Sequence, residues 1–385
     1  MNIDRSKRIF GLDLMRAIAI SGVLFTHLFW VFPDAPSYLH QLGSVSGFMG
    51  VEIFFVLSGF LIGRILYRIF VRPDHHPGHW LYFLFRRWFR TLPNYFLVLL
   101  VNILIVLYLG RALPDSLVRY FFFLQNAWSG MDIFFTESWS LPIEEFAYII
   151  GPIVLFSAGS VSGKANRSAA FLWATVLVIL LFTLNRVWYT LDEPALTMEG
   201  WNIELKAVVL YRIDAIYYGV LFAWFSLNRP MNWERMQLSG SAIGTLIFVG
   251  LMIVVSAYGL DPENSPWLFN VLYLPICSLS VAMWLPALSL WKTAPGWLSR
   301  PITVLSVISY SVYLLHYSIV LQLMRYWVPP PQGVFASLTY TLVYLLLTLS
   351  LAYWLYRFFE KPIMDIRNRP FFARFGQGCS DKLID

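Results

Sequence analysis

The chain has 385 residues, of which 58% are hydrophobic, 18% aromatic and only 13% charged, against roughly 45–50% apolar and 25% charged in a soluble domain. That composition excludes a soluble globular protein, a disordered chain and a disulfide-rich secreted module, and two cysteines make neither a disulfide framework nor a metal cluster. The formal charge of +6 does not signal nucleic acid, because apolar segments of lipid-spanning length interrupt the basic residues; the chain is expected to be a polytopic membrane protein.

Arg5, Lys7 and Arg8 precede the first apolar stretch, and no small-residue cleavage pattern follows it. The first helix is therefore expected to be retained rather than removed as a signal peptide. A spanning helix needs about 20 predominantly apolar residues. Ten segments qualify: 12–32, 47–70, 92–109, 139–157, 168–188, 207–227, 239–258, 267–290, 301–325 and 335–359. The apolar run 117–128 is too short to cross and is expected to be interfacial or re-entrant. With the N-terminus inside, the inner side carries 21 Lys and Arg and the outer loops carry 5, while Arg16 and Arg212 lie within spans. The positive-inside rule then puts both termini in the cytoplasm. The predicted class is all-α, with about ten transmembrane helices. Residues 1–365 form the transmembrane domain and 366–385 a short basic cytoplasmic tail.

Charged groups near the bilayer centre cost at least about 2.5–3.5 kcal/mol each on insertion scales, so they are functional candidates. Arg16 and His27 are eleven residues apart on the first helix, which is close to three turns and a rise of roughly 16 Å. They share a stripe, with Arg16 toward the inner face and His27 toward the outer. Glu52, Glu144, Glu145, Arg212, Asp214 and His316 are expected to join His27 in the outer third, as a polar chamber opening outward. Structural ion pairs account for two or three of these seven groups, not for all. On the inner side, Arg86, Arg87 and Arg90 lie beside Arg64 and Arg68, just before Pro93, where the chain is expected to turn into the third helix. This cluster reads either as positive-inside bias with anionic-lipid contact or as a phosphate-binding mouth, since guanidinium forks match phosphate oxygens. His75, His76 and His79 sit in a loop with Pro and Gly and lack converging partners on a rigid frame, so no metal site is expected. On these residues alone, an enzyme and a transporter or flippase for a glycolipid or small anionic solute remain equally open. Against a transporter, there is no inverted repeat.

The polar residues occur in a recognisable order: GLDLMRAIAISGVLFTH, GVEIFFVLSGFLIGR, RRWFRTLP, SWSLPIEEFAY, YRIDAIYYG, ISYSVYLLHYSI and FFEKP. The set resembles the membrane acyltransferase-3 family of bacterial integral membrane O-acyltransferases, from about Gly11 to Pro362. The resemblance implies ten core helices in the plasma membrane, which is the inner membrane in a Gram-negative cell. It also implies transfer of an acyl group, commonly acetyl from acetyl-CoA, to a sugar hydroxyl on the far side of that membrane. By the same resemblance His27 is the catalytic histidine, Arg16 its motif partner, and Arg87 and Arg90 the cytoplasmic Arg-x-x-Arg element. The reading that follows assigns Arg16, Arg87 and Arg90 to the acyl-CoA donor. His27 acts as general base, Glu52 or Glu144 orients its ring, and Trp139, Glu145, Arg212, Asp214 and His316 line the site for a carbohydrate or glycolipid acceptor. A transient acyl-histidine stays open as a variant. Glu52 stands where many relatives carry Asp, and the hydrolase-like domain that some relatives append is not found in this sequence.

Overall fold

The structure, a computed structural model, describes residues 8–72, 77–161, 166–192 and 196–366. No strand occurs among them, and nine of their helical segments are long and apolar enough to cross a membrane. In chain order the helices begin with α1 (Phe10–His27), α2 (Ser37–Phe70), α3 (Pro77–Tyr108), α4 (Leu117–Phe121) and α5 (Ser140–Val161). They continue with α6 (Arg167–Asp192), α7 (Met198–Trp201), α8 (Asp214–Asn228), α9 (Pro230–Ala257) and α10 (Leu274–Ala282). The last five are α11 (Leu285–Leu290), α12 (Gly296–Leu315), α13 (Gln322–Trp327), α14 (Val334–Leu355) and α15 (Lys361–Ile366). The tail expected at 366–385 falls, but for its first residue, outside the described residues.

The arrangement is that of a lipid-solvated bundle. α6 exposes Leu177, Leu180, Leu181 and Leu184 while it buries Arg186 completely. Such inversion follows because apolar faces cost nothing against hydrocarbon and polar groups must be satisfied internally. α1 and α8 both pack against α2, and α1 also meets α12. The α2–α8 contact is a backbone contact. A Cβ on Gly59 would lie 1.8 Å from the Ile216 carbonyl oxygen, and one on Gly219 would lie 2.0 Å from that of Val56. Small residues permit this approach, which dispersion and short contacts stabilise where no hydrophobic drive exists between helices.

Two expectations are corrected. The third helix starts at Pro77 rather than near residue 92, and it runs through Pro93 without ending. Arg86, Arg87 and Arg90 therefore stand on a helix inside the bundle, not on a loop at its mouth. The segment expected to span as 207–227 is broken. α7 leads into a π turn, Asn202–Lys206, then a 3-10 turn, Val209–Tyr211, and only α8, with 15 residues, is regular. At 1.5 Å per residue α8 reaches roughly 22 Å, short of a hydrocarbon core of about 30 Å. The break is held by the run after α4, which does not cross. Asn126 Nδ2 donates to the Trp139 carbonyl at 2.7 Å and to that of Ala207. The amides of Val209 and Leu210 bond the carbonyls of Asn126 and Ala127 at 3.0 and 3.2 Å.

Candidate active site

Seven guanidiniums line one cavity of about 620 Å³: Arg8, Arg16, Arg64, Arg68, Arg86, Arg87 and Arg90. Glu144 is the one carboxylate among its lining residues. α1, α2 and α3 supply six of the arginines, Arg8 comes from the segment just before α1, and α5 supplies Glu144. The extension of α3 makes this possible, because it carries Arg86–Arg90 into the bundle on a rigid helix. Arg8 and Arg16 are tied down by Asp13, one turn before Arg16. Asp13 accepts from Arg8 Nε at 2.8 Å, from Arg8 Nη2, and from Arg16 Nη1 at 3.4 Å. Ser306 Oγ of α12 donates to the same carboxylate at 2.8 Å. No described carboxylate forms an ion pair with Arg87 or Arg90. Such an excess of planar, always-charged donors suits phosphate oxygens. Glu144 accepts from Tyr148 at 2.9 Å, and Tyr148 in turn meets Ser58 at 2.9 Å.

The cavity lining includes Ser140 and Tyr313, whose hydroxyls bond each other at 2.8 Å. Beyond Tyr313 stands a second constellation. The His316 ring centroid lies 5.8 Å from that of Tyr313 and 4.8 Å from that of His27, and the His27 ring lies 4.6 Å from Tyr317. α12 widens into a π turn, His316–Leu321, at this point. Such bulges redirect side chains and recur at functional positions. His316 Nδ1 lies 2.7 Å from the Tyr313 carbonyl. An acceptor there requires the proton on Nδ1, so the neutral ring keeps its lone pair on Nε2. That Nε2 is buried without a hydrogen-bond partner, as is Nδ1 of His27. Glu137 completes the group. Its Oε1 accepts from the amide and hydroxyl of Ser318 at 3.1 and 2.6 Å, and its Oε2 is buried and unpartnered.

The seven groups expected in one outer chamber are distributed differently. His27 and His316 do meet. Glu52 does not reach His27: it is buried, paired with Arg212, and accepts from Ser278 Oγ at 2.7 Å. Asp214 is held by Arg186 through bonds of 2.9 and 2.7 Å. Glu145 accepts from Thr91 at 2.7 Å and Trp88 at 3.1 Å. Glu144 and Glu145 thus face α3 at the level of the arginines. By Glu144 the chain has run roughly 10 Å past Glu137, which separates it from the histidine end. No hydrogen bond joins His27 to Glu52 or to Glu144 among the described residues. Trp139 stays at the histidine end. Its ring and that of Phe48 flank the Lys206 ammonium, at 5.5 and 5.9 Å. Burial pulls the Lys206 ammonium down to about 8.

Arg8, Asp13, Glu137 and Lys206 were not among the candidates read from the sequence. Asp13 at a spacing of three before Arg16 was a legible signal for a helix-face pair. Glu137 and Lys206 lie just before the expected spans 139–157 and 207–227, where hydropathy carries no signal of a site. His79 is buried, no group of three or more metal-ligating side chains occurs among the described residues, and His75 and His76 lie outside them.

A family described as an acyltransferase domain matches residues 9–357. The chain is similar to the O-acetyltransferase OatA of Staphylococcus aureus, with 26% identity over 371 residues, covering 92% of this chain and 57% of OatA. It is equally similar to YrhL of Bacillus subtilis, whose name proposes peptidoglycan O-acetyl transfer, with 26% identity over 398 residues, 94% of this chain and 56% of YrhL. The chain therefore spans little more than half the length of these relatives. No solved structure matches it.

Proposed function

The chain belongs to the acyltransferase-3 family, and on that premise we propose that it moves an acetyl group from acetyl-CoA, bound at the arginine cavity, to a carbohydrate hydroxyl at the histidine end. The observation that carries this reading is the cavity itself: seven guanidiniums and one carboxylate around about 620 Å³, adjoining a histidine pair through Tyr313. Arg87 and Arg90, with Arg16 held by Asp13, bind the anionic nucleotide end of the donor. The reactive arm extends toward Ser140 and Tyr313. The arginine end is cytoplasmic and the histidine end extracytoplasmic, in line with the Lys/Arg asymmetry of the loops.

His27 is the general base. It takes the proton of the acceptor hydroxyl as that oxygen forms its bond to the acyl carbonyl carbon. The carbon–sulfur bond then breaks, and the leaving thiolate takes the proton back from the imidazolium. His316, with its lone pair on Nε2 and its ring against His27, backs the base with a second imidazole rather than with the carboxylate of a triad. The acceptor is a carbohydrate or glycolipid. Mass spectrometry of surface glycans from cells carrying wild type or His27→Ala tests this. Acyl groups present with wild type should vanish with the variant, while expression and donor binding persist. Equal acylation in both would overturn the assignment.

A further inference from the structure

Among the described residues, Lys206 is a cation without a counter-ion. Its ammonium lies between Phe48 and Trp139, and no described carboxylate forms an ion pair with it. The charged groups of the elements around it are engaged elsewhere. On α2, Glu52 is bound by Arg212. In the turn Thr136–Trp139, Glu137 is bound by Ser318. In its own π turn, Glu204 accepts from the Gly130 amide at 2.9 Å. Lys206 is half-buried, partial desolvation of an ammonium against aromatic faces is costly, and desolvation lowers its proton affinity to about 8.

Both walls of this lysine belong to elements that also build the histidine end. Gly47, next to Phe48, packs so closely on Thr26, next to His27, that a Cβ there would lie 2.5 Å from the Thr26 methyl. The turn that ends in Trp139 contains Glu137, which is bonded to Ser318 in the turn that begins with His316. Asn126 clamps the carbonyls of Trp139 and Ala207, fixing Lys206 beside that turn. An ammonium and the half-buried indole of Trp139 thus stand together beside the histidine end, to which the proposed function assigns the acceptor.

We propose that Lys206 and Trp139 form an acceptor subsite for an acidic carbohydrate, with the sugar's carboxylate or phosphate on the ammonium and its ring face on the indole. This rests on the acetyl-transfer reading for its function, but not for its binding chemistry. The anion would complete the lysine's missing partner, and the rigid indole offers a large apolar face with little entropy to lose.

The test measures binding and transfer separately, on the full chain in zwitterionic nanodiscs. The probes are an oligogalacturonate, its neutral methyl ester, and a sugar phosphate. Wild type should bind at least one acidic probe more tightly than the ester. Lys206→Met should weaken that binding about 10- to 100-fold, the worth of one charge-assisted hydrogen bond, and Lys206→Arg should keep most of it. Acid-probe affinity of wild type should also fall as pH rises through about 8, since the lysine is charged below that value and neutral above it; in Lys206→Arg it should stay flat. Which acidic probe responds identifies the anion as carboxylate or phosphate. Equal binding of acid and ester, no binding of any probe, or equal loss for both in Lys206→Met would overturn the subsite. So would competition by phosphatidylglycerol that depends on Lys206, which assigns the ammonium to lipid. Lys206-dependent binding without acetyl transfer to any probe would leave the subsite standing and count against the transfer reading.

Discussion

His27 and His316 present two imidazoles 4.8 Å apart, centroid to centroid, and their roles separate by substitution. Spacing gives His316 no ionisable partner on its own helix. Its ring contact with His27 supplies one. His27→Ala should lower the rate of acyl transfer by about 10²- to 10⁴-fold, as loss of a general base does. His316→Asn keeps an N–H for the Tyr313 carbonyl but has no basic nitrogen. It should be as impaired as His316→Ala if the second imidazole holds or moves a proton, and near normal if the ring only fills space. Near-normal transfer in the His27 variant beside complete loss in the His316 variants would move the base to α12. Glu52 gives a contrasting case. Removing it strands Arg212 in the bundle, a change that costs about 3–5 kcal/mol for a buried pair. Glu52→Ala should therefore shift thermal unfolding in detergent strongly, whereas a catalytic orienter would lose activity at unchanged stability.

The helices decide where these groups can stand. α3 carries Arg87 and Arg90 to the cavity because it is 32 residues long. Arg87→Ala with Arg90→Ala should weaken acetyl-CoA binding, and Lys at either position should restore only part, because the planar fork is lost. Unchanged donor affinity in the double variant would reduce the pair to lipid anchors. α2 and α8 meet at glycine, and Gly59→Leu has no room beside the Ile216 carbonyl. Overpacking of this kind costs about 1–3 kcal/mol or more. The variant should emerge from size-exclusion chromatography aggregated or poorly expressed, with the pairs Glu52–Arg212, just before α8, and Arg186–Asp214, at its first residue, lost together.

At the scale of the whole molecule, α8 decides the number of crossings. Nine described segments meet the length and apolarity of a span, and α8, buried on α2, is the tenth only if its 15 residues and the turns before it traverse the bilayer together. Reporter fusions after Asp34 and after Asp385 should lie on opposite sides of the membrane, the first outside and the second inside. The same side for both would mean an odd number of crossings and would sink the ten-helix topology.

Hydropathy was sufficient for the class, for most of the spans and for the loop asymmetry, because each depends on a property summed along one segment: apolar length or net basic charge. The first helix's Arg16–His27 spacing was legible for the same reason, since both residues share one helix. The partners of those residues were not. Whether Glu52 faces a histidine or an arginine depends on which helix lies opposite, and that was settled by glycine contacts between α2 and α8. Whether Glu144 faces arginines depends on where α3 starts, and an amphipathic, arginine-bearing first half hides that start from a hydropathy window. Glu137 is buried and Lys206 is brought beside its turn by Asn126, through a contact between segments about eighty residues apart. Local pattern gives each charge its depth along its own helix, but only tertiary packing decides which charges meet, because the cost of burying each one is offset by partners from other helices.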